Sequence, residues 1–217
     1  MSLREDDLSV RETKTITCHA CGGQHSFDAW KVVNAERDPE MKTRIMDGAA
    51  FIFTCPDCGG KTLAEYPMLY VDPEKRLMIQ LLPGNRAAAG TEQQLARLQD
   101  LRGERLVRAV PSIETLMEKI LIFDAGLDDR VIEKLKLLVR LQIQEEQPWV
   151  KPGMILFHRE DNDRFDVYAD GQFFMTHEYP FRAYELMYRD SADRLPDLRE
   201  DGPVIDEDWV KKYYGIE

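Results

Sequence analysis

Two Cys-x-x-Cys pairs contain all four cysteines of this chain and constrain its fold more than any other feature. Cys18 and Cys21 form the first pair, and Cys55 and Cys58 form the second. Each pair places two sulfurs on one tight turn, and two such turns supply the four thiolates that tetrahedral zinc requires. The sequence therefore predicts one metal site, with a zinc ion as the metal and these four cysteines as its ligands.

The residues around the pairs also favour a metal site. Gly22 and Gly59 follow the second cysteine of each pair, where glycine lets the backbone curl around an ion. The two pairs are separated by 33 residues, whereas roughly 15–20 residues separate the pairs of common short zinc ribbons. We therefore expect the intervening chain to have structure of its own and the site to be closed by a tertiary fold.

Three other interpretations of the cysteines remain open. Two disulfides would suit a secreted protein, but residues 1–10 are charged and lack the apolar run of a signal peptide. We therefore expect a cytoplasmic protein, in which disulfides are uncommon. A dithiol redox centre is the second alternative, because Cys-x-x-Cys motifs lower thiol pKa values in redox proteins. An iron ion held by four thiolates is the third, since ligand type alone separates iron from zinc poorly.

The charge of the chain argues against some classes of partner. The net charge is −11, and residues 1–143 carry 20 Lys and Arg against 22 Asp and Glu. Residues 144–217 carry 9 against 18, so this third is strongly acidic. Nucleic-acid binding needs a basic patch, and none is evident. No stretch approaches the ~20 apolar residues of a membrane span. We expect a protein partner, for which a basic surface would be complementary, or a second copy of the chain.

Hydrophobic periodicity predicts an α+β fold in three parts. Residues 10–84 are expected to form an antiparallel zinc-ribbon β segment, with strands over 14–17, 26–33, 50–54, 63–71 and 77–82. Residues 91–144 are expected to be helical, with 106–110 as a candidate short strand, and together the two parts form one domain over 10–140. Residues 150–217 are predicted to form a small acidic module with an antiparallel three-stranded meander, two helices and a polar linker over 191–203.

Outside the cysteines, two groups of residues could carry function, and each has a structural alternative. His19 and His25 flank the first pair; either could replace one thiolate, but with four cysteines present we expect both to be exposed. Asp124, Asp128 and Asp129, next to Arg130, could hold a cation or act as acid and base. A helix cap with acidic residues in its first turn explains them without function. We assign no catalytic residue and no activity.

The chain resembles the CpXC family, which is named for its paired Cys-Pro-x-Cys motifs. The resemblance covers roughly residues 10–140, and the segments that carry it are 16–22, 47–48, 51–59, 66–70, 77–79 and 118–130. His19 stands where the family motif has proline, although no ligand is lost. The resemblance implies a prokaryotic metal-binding domain without an established catalytic activity. It gives no information about residues 150–217.

Overall fold

The computed structural model describes residues 8–84, 91–101, 103–159, 163–178 and 181–216. The chain divides into two compact units, Met1–Met117 and Glu118–Glu217. The domain boundaries inferred from the sequence remain a prediction. In the part of the chain that the structure describes, no helix is both long enough and apolar enough to cross a membrane.

Strands dominate the first unit and helices the second, in agreement with the predicted order of elements. The strands of the first unit are β1 (Val10–Thr17), β2 (Gln24–Asn34), β3 (Ile52–Thr54), β4 (Lys61–Leu63), β5 (Met68–Asp72), β6 (Leu77–Leu81) and β7 (Leu106–Val110). Its helices are α1 (Pro39–Met46) and α2 (Thr91–Leu101), and α3 (Ile113–Asp124) crosses the boundary between the units. The second unit continues with α4 (Asp129–Glu146), β8 (Pro152–Arg159), β9 (Asp163–Ala169), β10 (Gln172–Glu178), α5 (Phe181–Ala192) and α6 (Glu207–Tyr214).

A five-stranded sheet with the order β1-β2-β5-β6-β7 forms the frame of the first unit. The pairs β1–β2 and β5–β6 are antiparallel, whereas β2–β5 and β6–β7 are parallel. Parallel neighbours need long crossover connections; the chain between β2 and β5 carries the second cysteine pair, and the chain between β6 and β7 carries α2. Leu98 of α2 packs on the sheet against Leu69, Val71, Met78 and Val107.

Strands β3 and β4 form a separate two-stranded sheet, and the turn between them carries the second cysteine pair. The α+β class is confirmed, but the β segment over 10–84 is not purely antiparallel, because β2 and β5 pair in parallel. The strand expected over 63–71 is two strands, because the chain leaves the ladder between Leu63 and Met68. Pro67 lies in this interval and has no N–H to donate to a ladder. The strand expected over 50–54 starts instead as a 3₁₀ turn, Ala49–Phe51.

In the second unit, α4 packs against an antiparallel sheet with the order β10-β9-β8. Apolar residues at helical spacing on α4, among them Ile132, Leu135 and Val139, meet the buried face of the sheet. Asp128 begins the helix as predicted, because its side chain accepts a hydrogen bond from the backbone N–H of Arg130 at 2.9 Å. Phe157 and Phe165 meet within this core with ring centroids 5.6 Å apart.

We expect Phe165→Ala to destabilise the second unit by about 3–5 kcal/mol, because it removes a fully buried ring and leaves a cavity. Phe173 is the matched control: it lies on β10 of the same sheet with 58% of its surface exposed. Phe173→Ala should change the free energy of unfolding by no more than about 0.5 kcal/mol. Urea unfolding of both variants measures the difference, and equal effects would contradict the assigned core.

Candidate metal centre

The two cysteine pairs occupy the tips of two hairpins. The first pair connects β1 to β2, and the second connects β3 to β4. The N–H of Cys18 donates to the carbonyl of Gly23 at 2.9 Å, and the N–H of Cys55 donates to the carbonyl of Gly60 at 2.8 Å. A backbone hydrogen bond of the same kind therefore closes each of the two turns.

Both turns have the same conformation in spite of their different sequences. Gly22 and Gly59 have φ angles of +73° and +71°, in the left-handed region that favours glycine. The N–H of each glycine donates to the carbonyl of the first cysteine of its pair at 2.9 Å. His19 occupies the place that Pro56 has in the other turn, so the departure from the Cys-Pro-x-Cys pattern leaves the turn unchanged.

The four sulfurs converge on one point. All four Sγ atoms lie within 4.8 Å of one another. The Sγ atoms of Cys18 and Cys58 are 3.7 Å apart, as are those of Cys21 and Cys55, and none of the four cysteines is in a disulfide. A tetrahedral zinc ion with Zn–S distances of about 2.3 Å separates its sulfurs by about 3.8 Å. The arrangement of these side chains therefore fits a metal ion held by four thiolates.

The centre has a buried side and an exposed side. Cys18 and Cys55 are each only 1% exposed, whereas Cys21 and Cys58 are exposed. Behind the buried pair lies Phe53, with Ile16 and Phe27 packed against it. The first cysteine of each turn thus points into the protein and the second toward solvent.

Backbone donors and neighbouring thiols both lower the pKa of Cys18, whereas they act in opposite directions on the pKa of Cys58. The N–H groups of Cys21 and Ala20 lower the pKa of Cys18 to about 7. The N–H of Gly60 lowers the pKa of Cys58, but the three neighbouring thiols outweigh it and raise that pKa to about 12. Thiolates this close together repel one another, and a divalent cation at their centre would compensate that charge.

His19 and His25 differ in their surroundings. His19 is exposed, as predicted, but His25 is not: its side chain is 17% exposed and stacks on Phe53 with ring centroids 5.7 Å apart. The Nε2 atom of His25 lies 3.4 Å from the Sγ of Cys55 and 3.4 Å from Oδ2 of Asp57. The expectation that His25 is exposed was therefore wrong. No sequence signal could have shown this contact, because it joins two hairpins that only the tertiary fold brings together.

The acidic residues at the junction of α3 and α4 differ in their surroundings. Asp124 is exposed, whereas Asp128 and Asp129 are buried. Asp128 caps α4 and pairs with Arg130, whose Nη2 atom lies 2.7 Å from the carboxylate of Asp128. Asp129 pairs with Lys119 at 3.0 Å. The structure therefore favours the helix-cap interpretation for Asp128 and an ion-pair role for Asp129.

Lys119 stands at the centre of a buried ionic network that the sequence did not reveal. Its Nζ atom lies 3.0 Å from the carboxylates of both Asp129 and Glu133. Lys136 extends the network, with its Nζ 3.0 Å from Glu118 and 3.1 Å from Glu133. Burial lowers the pKa of Lys119, but the carboxylates of Asp129 and Glu133 outweigh it and raise that pKa. Burial raises the pKa of Glu118.

Arg130 binds the segment predicted to be a polar linker, over 191–203, and Lys119 binds the chain just after that segment. The Nζ of Lys119 donates to the carbonyl of Ile205 at 3.2 Å. The Nη1 atom of Arg130 donates to the carbonyl of Pro196 at 2.8 Å and lies 2.7 Å from the carboxylate of Asp201. The segment over 191–203 is therefore fixed to α4 by a guanidinium group, and helix α5 extends into its first residues.

We expect Lys119→Met to destabilise the second unit by about 3–5 kcal/mol, because it removes a buried cation that lies 3.0 Å from the carboxylates of both Asp129 and Glu133. Lys212 provides the control, since it lies exposed on α6 of the same unit. Lys212→Met should shift the urea unfolding midpoint little, since exposed sites away from such networks usually change stability by about 0.5 kcal/mol or less. Equal midpoints for the two variants would show that the network does not stabilise the fold.

The two hairpin tips and their four convergent sulfurs form a β region like that of a zinc ribbon. The family model described as "CpXC protein" matches residues 16–136, which is more than half of the chain. The chain therefore belongs to the CpXC family, and the resemblance seen in its sequence is confirmed. No curated protein and no solved structure shows significant similarity to the chain.

Proposed function

We propose that this protein binds one zinc ion through Cys18, Cys21, Cys55 and Cys58, and that the ion has a structural role. The observation that carries the proposal is the spacing of the sulfurs, with two distances of 3.7 Å and all four atoms within 4.8 Å. Four thiolates complete a tetrahedral shell, so no position is left for water or substrate. We therefore propose that the centre supports the fold and carries out no reaction.

The size of the second hairpin supports a structural role for the metal. Strands β3 and β4 have three residues each, and an isolated two-stranded hairpin is marginally stable at best. Bonds from one ion to both hairpin tips would hold this small sheet against the β1–β2 hairpin. Structural zinc sites contribute folding free energy in this way.

We further propose that the protein is an interaction or scaffold module of the prokaryotic cytoplasm. Reducing conditions there keep cysteines available as thiolates for a metal. The excess of Asp and Glu over 144–217, 18 against 9 Lys and Arg, would favour a basic protein surface and disfavour nucleic acid. A second copy of the chain is the alternative partner.

Metal analysis of the purified protein tests the proposal. We expect one zinc ion per chain, and loss of the ion in Cys18→Ser and Cys58→Ser, because each removes one of four thiolates. His19→Ala is the control, since it changes an exposed residue of the same turn and removes no ligand. A strong chelator at mild pH should unfold residues 10–84, as measured by circular dichroism and hydrogen exchange. Full retention of structure in this region would contradict a structural role.

A thiol-regulatory function is a second candidate, and the exposure of Cys21 and Cys58 favours it. An oxidant in solution can reach one sulfur from each turn without unfolding of the protein. If the protein responds to oxidation, mild hydrogen peroxide should release zinc and form intramolecular disulfides that a thiol reductant reverses. Mass spectrometry and a zinc indicator follow both events. A centre that keeps its zinc under these conditions would eliminate this candidate.

A further inference from the structure

His25 links the two hairpins of the metal centre without being one of the four cysteine ligands. It lies on β2, just after the first cysteine pair, and its Nε2 atom lies 3.4 Å from the Sγ of Cys55 in the second pair. Oδ2 of Asp57 is 3.4 Å from the same nitrogen. One ring nitrogen therefore faces two atoms of the opposite turn.

We propose that His25 is a positioning residue, which donates a hydrogen bond from its Nε2–H to the thiolate of Cys55 and thereby strengthens metal binding. The inference rests on the proposed function, since it assumes that Cys55 is a ligand. A metal-bound thiolate and a carboxylate can only accept hydrogen bonds. A nitrogen that faces both must carry the hydrogen, so the geometry assigns the Nε2–H form of the ring.

The surroundings of His25 hold its ring in this position. One face of the ring stacks on Phe53, with the two planes inclined by 29°. Gly23 lies on the Nε2 side, where a Cβ atom would come within 2.9 Å of Nε2 and 3.3 Å of Oδ2 of Asp57. Any larger residue at position 23 would therefore displace the histidine or the aspartate. The space that Nε2 occupies exists because residue 23 is glycine.

The effect of this hydrogen bond follows from the charge of the centre. Four thiolates around a divalent cation leave two surplus negative charges, and each donor to a sulfur offsets part of them. Cys58 receives a backbone N–H from Gly60 at 3.4 Å on the exposed side. His25 supplies a side-chain donor to Cys55, which is only 1% exposed. Outer partners of metal ligands typically contribute about 10–100-fold in metal affinity.

Two substitutions separate the hydrogen bond from the shape of the ring. His25→Phe keeps a ring that can stack on Phe53 but has no donor, and we expect it to weaken zinc binding about tenfold. His25→Gln has an amide donor and should restore part of the affinity. His19→Phe is the matched control, because it changes the exposed histidine of the same turn and should leave the affinity unchanged. Competition with a chromophoric chelator measures the affinity of the full-length protein.

Two further measurements are independent of affinity. In the cobalt-substituted protein, His25→Phe should shift the sulfur-to-cobalt charge-transfer band, because a donor to a thiolate lowers the energy of its electrons; His19→Phe should not. In the zinc-loaded wild type, the ¹⁵N shifts of the imidazole should identify Nε2 as the nitrogen that carries the hydrogen. This second measurement needs no variant and therefore stands even if His25→Phe fails to fold.

Several results would overturn the inference. An affinity of His25→Phe equal to that of the wild type would show that no bond to Cys55 strengthens metal binding. A loss of affinity in His25→Gln without one in His25→Phe would assign the effect to the shape of the ring, and an Nε2 without hydrogen would exclude the donor. Two zinc ions in the wild type and one in His25→Phe would make the histidine a ligand. A wild type without any zinc would instead reject the proposed function.

Discussion

Four sulfur atoms brought within 4.8 Å of one another are the constraint on which the first unit depends. Thiolates at this distance repel, so the arrangement is stable only when a cation compensates the charge or protons remain on the sulfurs. In the folded protein both turns close on their own hydrogen bonds, and both use a left-handed glycine. A metal ion bound to all four sulfurs would join the two hairpin tips.

The second unit also brings negative charges close together, and it compensates them with its own side chains. Lys119 and Lys136 lie among three buried carboxylates, and each charge has an opposite charge within about 3 Å. Such pairs contribute little net stability over apolar residues of the same shape, but they are costly to break one partner at a time. In one unit a bound cation would compensate the negative sulfurs, and the other unit compensates carboxylates with its own lysines.

Local rules made the cysteine turns and the helix caps predictable from the sequence. A ligand pair needs only four neighbouring residues, and a cap such as Asp128 needs only the turn that follows it. The position of His25 was not predictable, since it depends on how the β1–β2 hairpin meets the β3–β4 hairpin. The polar composition of the segment over 191–203 predicts a linker; composition cannot show that Arg130 binds the carbonyl of Pro196 and the carboxylate of Asp201. Long-range partners of charged groups were the main information that the sequence lacked.

The reach of Lys119 and Arg130 has a consequence for how this region can be inherited. Both residues lie within the family-matched part of the chain, over 16–136, yet they bind Ile205, Pro196 and Asp201 far outside it. Recombination that moved the matched region alone into another gene would separate buried cations from their acceptors. The C-terminal residues, or substitutes with the same charges, would have to be transferred together with the matched region. In this protein, the heritable unit is therefore larger than the segment that its family signature marks.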